Sequence, residues 1–305
     1  MSDSNGVWIA LILAAASAQT IRNAAQRVLA KSAGVLPATF VRFCHGLPFA
    51  ALGLAFVSFV HDGSWPTPRP EYVAWIALGA VAQLAATACL IAAMGQRSLV
   101  VAVAYSKTEI LQVALYSTVL LAERLTASLV GAIVLSTIGV LTLSFQWPGA
   151  KESGNKSWLS AGAALGLASG AGYALSGVGF RGAMLALDHP TPWVAGIYSV
   201  VWAQAIQTVL LGLYLALRDR RGLSIVMTRW RASTFAGLMG ALASMGWLTA
   251  YAMRSAVEVI VAGLADVLIS YAFSRHFFKE PVSYIEVAGI TLVVVGIGMT
   301  TLRNA

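Results

Sequence analysis

Residues 99–121 read LVVAVAYSKTEILQVALYSTVLL, an apolar run that carries Glu109 near its centre. A helix of this length crosses the roughly 30 Å hydrocarbon layer of a bilayer. A second apolar run, 257–277, carries Asp266 in the same way. A carboxylate near the bilayer midplane costs several kcal/mol unless a partner offsets it. The two together therefore predict a central polar site used in transport.

The composition places the whole chain among polytopic membrane proteins. Apolar residues make up 58% of the chain, charged residues make up 10%, and the mean hydropathy is +0.77. A soluble domain of this length would not have this composition. The net charge of +8 falls mainly at predicted helix ends, where Lys and Arg meet lipid headgroups, so nucleic-acid binding is not implied. The sequence has no P-loop, metalloprotease helix motif or nucleophile elbow, and we expect neither an enzyme nor a metal site.

Apolar stretches of about 20 residues recur along the chain and predict an all-α integral membrane protein with ten transmembrane helices. The predicted helices span 6–29, 38–60, 72–95, 99–121, 125–145, 158–181, 192–217, 232–253, 257–277 and 282–302. The polar stretch 148–157 divides them into two five-helix repeats, 1–148 and 149–305.

The two halves match each other in sequence. A shift of 157 residues lays Glu109 on Asp266, Glu123 on Glu280 and Gly139 on Gly296. Because five is an odd number of helices, the second copy must enter the membrane with the opposite orientation. The chain is therefore predicted to be an inverted repeat.

The turn between the fourth and fifth predicted helices carries a signature that recurs near the C-terminus. The first copy comprises 121–126, 131–135 and 138–140, and the second comprises 278–283, 287–290 and 295–296. In these stretches, and in layout over essentially its whole length, the chain resembles EamA-type carriers of the drug/metabolite transporter superfamily. The resemblance implies ten helices around a central cavity, no cofactor, and export or exchange of small metabolites such as amino acids.

Polar side chains crowd the fourth predicted helix. Tyr105, Glu109, Gln112 and Tyr116 share one face at helical spacing, whereas Lys107 lies about 200° around from Glu109. We therefore expect the two charges not to pair along this helix. Glu109 must find a partner on another helix, bind substrate or an ion, or stay protonated, and proton-coupled export uses the last two options.

On the ninth predicted helix, Gly263 and Ser270 lie on the same side as Asp266, which leaves room for water or an ion beside the carboxylate. The alternative for both carboxylates is a static interhelical ion pair. For Glu109 the cation would be Arg22, Arg42 or Lys107.

Basic and aromatic side chains complete the predicted site. The first predicted helix carries Arg22 within the polar cluster 19–26, and the second carries Arg42. Each arginine could bind a carboxylate or phosphate through two parallel hydrogen bonds. Arg22 could instead reach up to the membrane interface. Tyr173, Trp202 and Trp247 are predicted cavity walls, because they lie away from the interfacial ends of their helices.

Two further features of the sequence have structural interpretations. Glu123 and Glu280 precede helices and would stabilise their positive ends by about 0.3–1 kcal/mol each. Glycines at helical spacing would allow helices to approach closely; they are Gly131, Gly139, Gly296, Gly162, Gly166 and Gly170.

The sequence therefore predicts a secondary active transporter, an exporter or exchanger of a small anionic or zwitterionic metabolite, that works by alternating access. Its cavity would be lined by the first, second, fourth, sixth, seventh and ninth helices. The predicted substrate-binding residues are Arg22, Arg42, Tyr105, Lys107, Gln112, Tyr173, Trp202 and Trp247, and the predicted ion-coupling residues are Glu109 and Asp266. Alternatives are a carrier of lipid or lipid-linked substrates and a membrane scaffold or sensor that transports nothing.

The predicted location is the cell membrane, the inner membrane in a bacterium, with lipids and a small-molecule substrate as partners of a monomer or homodimer. Most basic loop residues fall on the side of the membrane opposite the N-terminus. Since basic residues concentrate in cytoplasmic loops, this predicts both termini outside. The EamA-type carriers more often have both termini inside.

Overall fold

The computed structural model describes residues 2–96, 102, 105–145, 161–266, 268–269 and 284–301, with side chains for all but a few at the segment ends. Its regular elements are all helices: α1 Ser2–Ala33, α2 Val35–Cys44, α3 Leu47–Val60, α4 Pro70–Gln96, α5 Glu109–Leu121, α6 Ala127–Phe145, α7 Ala161–Leu187, α8 Pro192–Arg218, α9 Arg220–Thr228, α10 Trp230–Met253, α11 Ala256–Ala262 and α12 Tyr284–Thr301. The all-α class is therefore confirmed.

Six of the described helical segments are long and apolar enough to cross a bilayer. They are Val7–Ala33, Val35–Val60, Pro70–Gln96, Ala161–Leu187, Pro192–Arg218 and Trp230–Met253. Shorter apolar helices cover Glu109–Leu121, Ala127–Thr142 and Val287–Met299. The chain is a multi-pass membrane protein.

The second predicted helix, expected over 38–60, begins three residues earlier and is broken in the middle. Gly34, with φ of 92°, alone separates α1 from α2. Two residues, His45 and Gly46, then separate α2 from α3, whose first turn contains Pro48. Proline lacks the N–H that would continue a helix from α2.

The break between α2 and α3 packs directly on α10. A methyl group added at Gly237 would lie 2.5 Å from the His45 carbonyl carbon, and one at Gly46 would lie 3.1 Å from the Gly237 carbonyl oxygen. His45 Nδ1 also lies 3.3 Å from Thr234 Oγ1. The interruption is thus supported by side-chain and backbone contacts with a neighbouring helix.

The two helices that carry the buried carboxylates are also interrupted, contrary to the predicted continuous spans 99–121 and 257–277. Residues 107–108 form a turn immediately before Glu109, and residues 263–264 form one shortly before Asp266. The hydrogen bonds tighten to i→i−3 at both places, from Ile110 N to Lys107 O at 3.2 Å and from Asp266 N to Gly263 O at 3.1 Å. Each carboxylate therefore follows a turn instead of lying within a continuous helix.

The most extensive helix contacts are those of α4 with α7, α6 with α12 and α1 with α10. Glycines make these contacts close: a methyl group at Gly139 would meet Gly289 O at 2.8 Å, and one at Gly179 would meet Gly79 N at 2.7 Å. The turn at 107–108 lies against Gly170, where a methyl group would meet Thr108 Oγ1 at 2.6 Å. The packing role expected of Gly139 and Gly170 is confirmed.

Candidate functional site

A polar cavity of about 60 Å³ lies inside the helix assembly. It is lined by residues of α1, α2, α4, α5, α7, α10 and α11 and of the turns before Glu109 and Asp266. Seven of the residues predicted for the site line it: Arg22, Arg42, Lys107, Glu109, Tyr173, Trp247 and Asp266. The seventh predicted helix, α8, contributes no lining residue, whereas α4 and α10 do.

The three charged residues nearest the two turns form one ion cluster. Lys107 Nζ lies 2.8 Å from Asp266 Oδ2 and 3.2 Å from Glu109 Oε1, and the three side chains are 6%, 4% and 11% exposed. The prediction that Lys107 and Glu109 do not pair along their helix is wrong, because it assumed a continuous helix through the turn at 107–108. Of the alternative partners of Glu109, the structure has Lys107. Lys107, in the turn before Glu109, also forms an ion pair with Asp266 from the second half of the sequence.

Two hydrogen bonds fix the position of Asp266 further. Gln19 Nε2 donates to Asp266 Oδ2 at 3.2 Å, and Trp247 Nε1 donates to Gln19 Oε1 at 3.1 Å. Trp247 has room to do so because Gly263 has no side chain: a methyl group there would lie 2.6 Å from the indole ring. The other oxygen, Asp266 Oδ1, is buried and has no hydrogen-bond partner among the described residues.

Arg22 and Arg42 are each 1% exposed and face the same cavity. Arg22 Nη2 donates to Asn23 Oδ1 at 2.8 Å, and Arg42 Nη1 donates to Thr87 Oγ1 at 2.9 Å. Arg22 Nε, Arg22 Nη1 and Arg42 Nε are buried without an acceptor in the described part of the chain. The snorkelling alternative for Arg22 is therefore wrong.

A hydrogen-bonded chain links Arg42 to Tyr173. The Thr87 hydroxyl donates its proton to Gln83 O at 2.8 Å, so the Tyr173 hydroxyl, 3.1 Å from Thr87 Oγ1, must be the donor of that bond. Thr87 consequently accepts from both Arg42 and Tyr173. The chain positions the guanidinium group and the phenol on one wall of the cavity.

Three predicted site residues lie elsewhere. Tyr105 packs against Gly166 of α7, and Gln112 Nε2 lies 3.4 Å from Thr108 Oγ1. Trp202 belongs to an aromatic group on α4 and α8, with ring centroids 6.2 Å from Tyr72 and 6.4 Å from Tyr198. The break at 107–108 separates Tyr105 from the face that Glu109 presents to the cavity, whereas Gln112 shares a continuous helix with Glu109 and still does not line the cavity.

Six other polar residues line the cavity and were not selected from the sequence, namely Gln19, Asn23, Gln83, Ser106, Ser176 and Tyr251. A signal existed for the first two, because Gln19, Arg22, Asn23 and Gln26 recur at intervals of three and four and so share one helix face. Gln26, by contrast, donates to Ala38 O at 2.8 Å and ties α1 to α2.

Glu123 does not stabilise the start of α6 as predicted. Its carboxylate accepts hydrogen bonds from Ser117 Oγ and, at 3.1 Å, from Arg181 Nε of α7. Arg181 Nη1 also donates to Tyr251 O at 2.8 Å, so this ion pair ties the turn before α6 to α7 and α10. Thr126 Oγ1 is the group that accepts at the start of α6, from Leu129 N at 3.4 Å. Glu280 lies outside the described residues.

Comparisons with known proteins concern the fold alone. No protein-family model matches the sequence, and a search of curated proteins finds no relative. One solved structure, titled only as a crystal structure of a protein, is similar over 99% of this chain and 97% of its own, with a TM-score of 0.70 and 17% sequence identity. The chain thus has a fold known from crystallography, at an identity too low to carry function with it.

Proposed function

We propose that the protein is a secondary active transporter of a small anionic or zwitterionic metabolite in the cell membrane, with the architecture of an EamA-type carrier. The observation that carries this proposal is the pair of buried arginines, Arg22 and Arg42, with unused N–H donors in a cavity among apolar helices. Buried charges without partners are costly in a membrane protein and occur mainly where a substrate or ion passes.

The charges around the cavity favour an anion. Glu109 and Asp266 both lie on Lys107, which leaves one negative charge in that cluster. Arg22 and Arg42 have no carboxylate within 4.0 Å among the described residues, so the cavity as a whole carries one excess positive charge. The unused acceptor Asp266 Oδ1 would also suit a ligand that carries a donor, as a zwitterion does.

Transport by alternating access fits the arrangement of helices. If the two five-helix repeats are related by symmetry, that symmetry maps the contact of α1 with α10 onto the contact of α4 with α7. It maps the contact of α6 with α12 onto itself. These are the three most extensive helix contacts. Interrupted helices at a central site are typical of carriers built as inverted repeats. The turns before Glu109 and Asp266 are such interruptions.

The cavity must enlarge if a metabolite is to enter. Its volume of about 60 Å³ holds a few water molecules, whereas pockets for small molecules usually measure about 300–1,000 Å³. A carrier that alternates between conformations provides the larger space in its open states. Either carboxylate of the Lys107 cluster could take up the coupling proton, provided that Lys107 releases it.

Uptake into proteoliposomes of labelled solutes grouped by charge tests the proposal. We expect saturable uptake of anions or zwitterions, its loss in Arg42→Gln, and normal uptake in the matched control Arg218→Gln, whose side chain is exposed at the end of α8. Uptake restricted to cations or neutral solutes would contradict the proposal. Movement of a labelled lipid alone would favour the lipid carrier, and no movement of any solute would favour the scaffold.

A further inference from the structure

We propose that Arg22 and Arg42 form one subsite for a tetrahedral oxyanion, namely the phosphate group of a small phosphomonoester. This inference rests on the proposed function and narrows its substrate class. A monocarboxylate or an amino acid is the alternative that the same cavity must be tested against.

The two arginine side chains run side by side past α10. A methyl group added at Gly240 would lie 3.1 Å from Arg42 Cγ and 3.4 Å from Arg22 Cδ, so both stems cross this one glycine. Two like charges are thereby brought together in a site that is 1% exposed at each residue. Such an arrangement is favourable only if something with negative charge lies between or beside them.

No carboxylate in the described part of the chain lies within 4.0 Å of either guanidinium group. The two carboxylates that line the cavity, Glu109 and Asp266, are bound by Lys107. The other hydrogen-bond partners of the arginines, Asn23 and Thr87, are neutral. Since Lys107 neutralises only one of these two carboxylates, the cavity keeps one excess positive charge, which an anionic group of the ligand balances.

The unused donors also fit a tetrahedral group better than a planar one. Arg22 Nε and Nη1 and Arg42 Nε come from two different guanidinium planes. A carboxylate offers two oxygens in one plane and pairs fork to fork with one arginine. A phosphate offers three charged oxygens in different directions and can accept from both.

The cavity volume fits a subsite that holds only the oxyanion group of the ligand. A space of about 60 Å³ takes a few atoms of water size, enough for an oxyanion but not for a whole metabolite. The unused Asp266 Oδ1 lines the same cavity. Because it would repel the oxyanion, a hydroxyl group of the ligand should donate to it once the cavity enlarges for the rest of the ligand.

Binding to the purified full-length protein in an uncharged detergent tests this assignment. The probes are glycerol phosphate, inorganic sulfate, dimethyl phosphate, acetate and glycine at matched ionic strength, with the shift of the thermal midpoint and the apparent Kd as readouts. We expect glycerol phosphate and sulfate to stabilise the protein, and glycerol phosphate to do so more because its hydroxyl groups can donate to Asp266. Dimethyl phosphate has only two oxygens free of methyl groups, and acetate and glycine have two carboxylate oxygens in one plane, so each should bind at least about tenfold more weakly.

Variants connect the binding to the two arginines. Arg22→Gln and Arg42→Gln should each weaken glycerol phosphate binding by at least about tenfold, and Arg218→Gln should not. If a Gln variant fails to fold, Arg42→Lys provides the test, because it keeps the positive charge and removes the bidentate hydrogen bonding of the guanidinium group. We expect weaker binding of glycerol phosphate to this variant too. Unchanged affinity in Arg42→Lys and in a folded Gln variant would overturn the assignment.

The outcomes separate this inference from the proposed function. Equal or tighter binding of acetate or glycine, lost in the arginine variants, would overturn the phosphate assignment and leave an anion carrier. No binding of any probe would contradict both. A short-chain phosphatidate arm distinguishes the source of the phosphate: binding of phosphatidate without glycerol phosphate would support the oxyanion subsite and assign it to a lipid headgroup.

Discussion

Lys107 forms ion pairs with buried carboxylates from both halves of the sequence. It lies in the turn before α5, and its ammonium group contacts Glu109 in the same half and Asp266 in the other. Both carboxylates were identified from the sequence, because a charge in an apolar run stands out. Their shared partner was not, because residues 107–108 include neither glycine nor proline to signal a break in the helix.

Replacement of this lysine should destabilise the protein. Lys107→Met leaves two buried carboxylates side by side without a cation, and loss of one partner of a buried pair costs about 3–5 kcal/mol. We expect a clearly lower thermal midpoint in detergent.

A neutral triple variant is the matched control. Lys107→Met combined with Glu109→Gln and Asp266→Asn removes all three charges, and replacement of a whole buried ion cluster is often close to neutral. It should recover most of the lost stability. A single variant as stable as the parent would show that Lys107 does not neutralise these carboxylates.

The two carboxylates should also differ from each other. Asp266 has the shorter contact with Lys107, 2.8 Å against 3.2 Å, and additionally accepts from Gln19. Asp266→Asn should therefore lower the midpoint more than Glu109→Gln does, since Lys107 keeps its closer partner in the second variant. The opposite order in thermal unfolding would refute the geometry of the cluster.

At the level of the helices, the breaks bring charged groups and backbone ends to the centre of the molecule. Apolar length alone predicted where helices lie, and α4, α8 and α10 are found within a few residues of their predicted bounds. The interruptions depend on contacts between distant segments, such as Gly237 against His45 and Gly170 against Thr108. A pattern within one segment cannot reveal such contacts.

Gly170 tests how far the turn at 107–108 depends on its neighbour. In Gly170→Ala the added methyl group would meet Thr108 Oγ1 at 2.6 Å and Ser106 O at 2.8 Å, and overpacking of this kind typically costs about 1–3 kcal/mol. Gly95→Ala is the control, because nothing lies within 4 Å of its added methyl group. Equal thermal midpoints for the two variants would mean that the turn does not depend on this contact.

In the whole molecule, basic side chains gather at one end of the helix assembly. Arg218, Arg220, Arg221, Arg229 and Arg231 lie on or beside α9, which packs against α1 and α2. Gly222 of α9 is close to Pro37 at the start of α2, since a methyl group there would lie 2.5 Å from Pro37 Cγ. The basic side chains therefore lie at the end of the assembly where α1 ends, and Lys31 is in the last turn of α1.

If this basic end faces the cytoplasm, as the charge rule requires, both chain termini are outside. A C-terminal reporter that is active only in the cytoplasm should then be silent, and one inserted in the segment between α8 and α10 should be active. The reverse pattern would show that the fold is oriented as EamA-type carriers more often are.

Access to the cavity from both sides of the membrane is the central claim, and it can be measured without knowledge of the substrate. Ser176 lines the cavity and is 2% exposed. A Ser176→Cys variant, with Cys44 and Cys89 replaced by Ala, is treated with a small, anionic, membrane-impermeant thiol reagent from either side of oriented vesicles. Ser199→Cys, at a buried site bonded to Tyr72 away from the cavity, is the control. We predict modification of Ser176→Cys from each side and none of the control; modification from one side only, or from neither, would contradict alternating access.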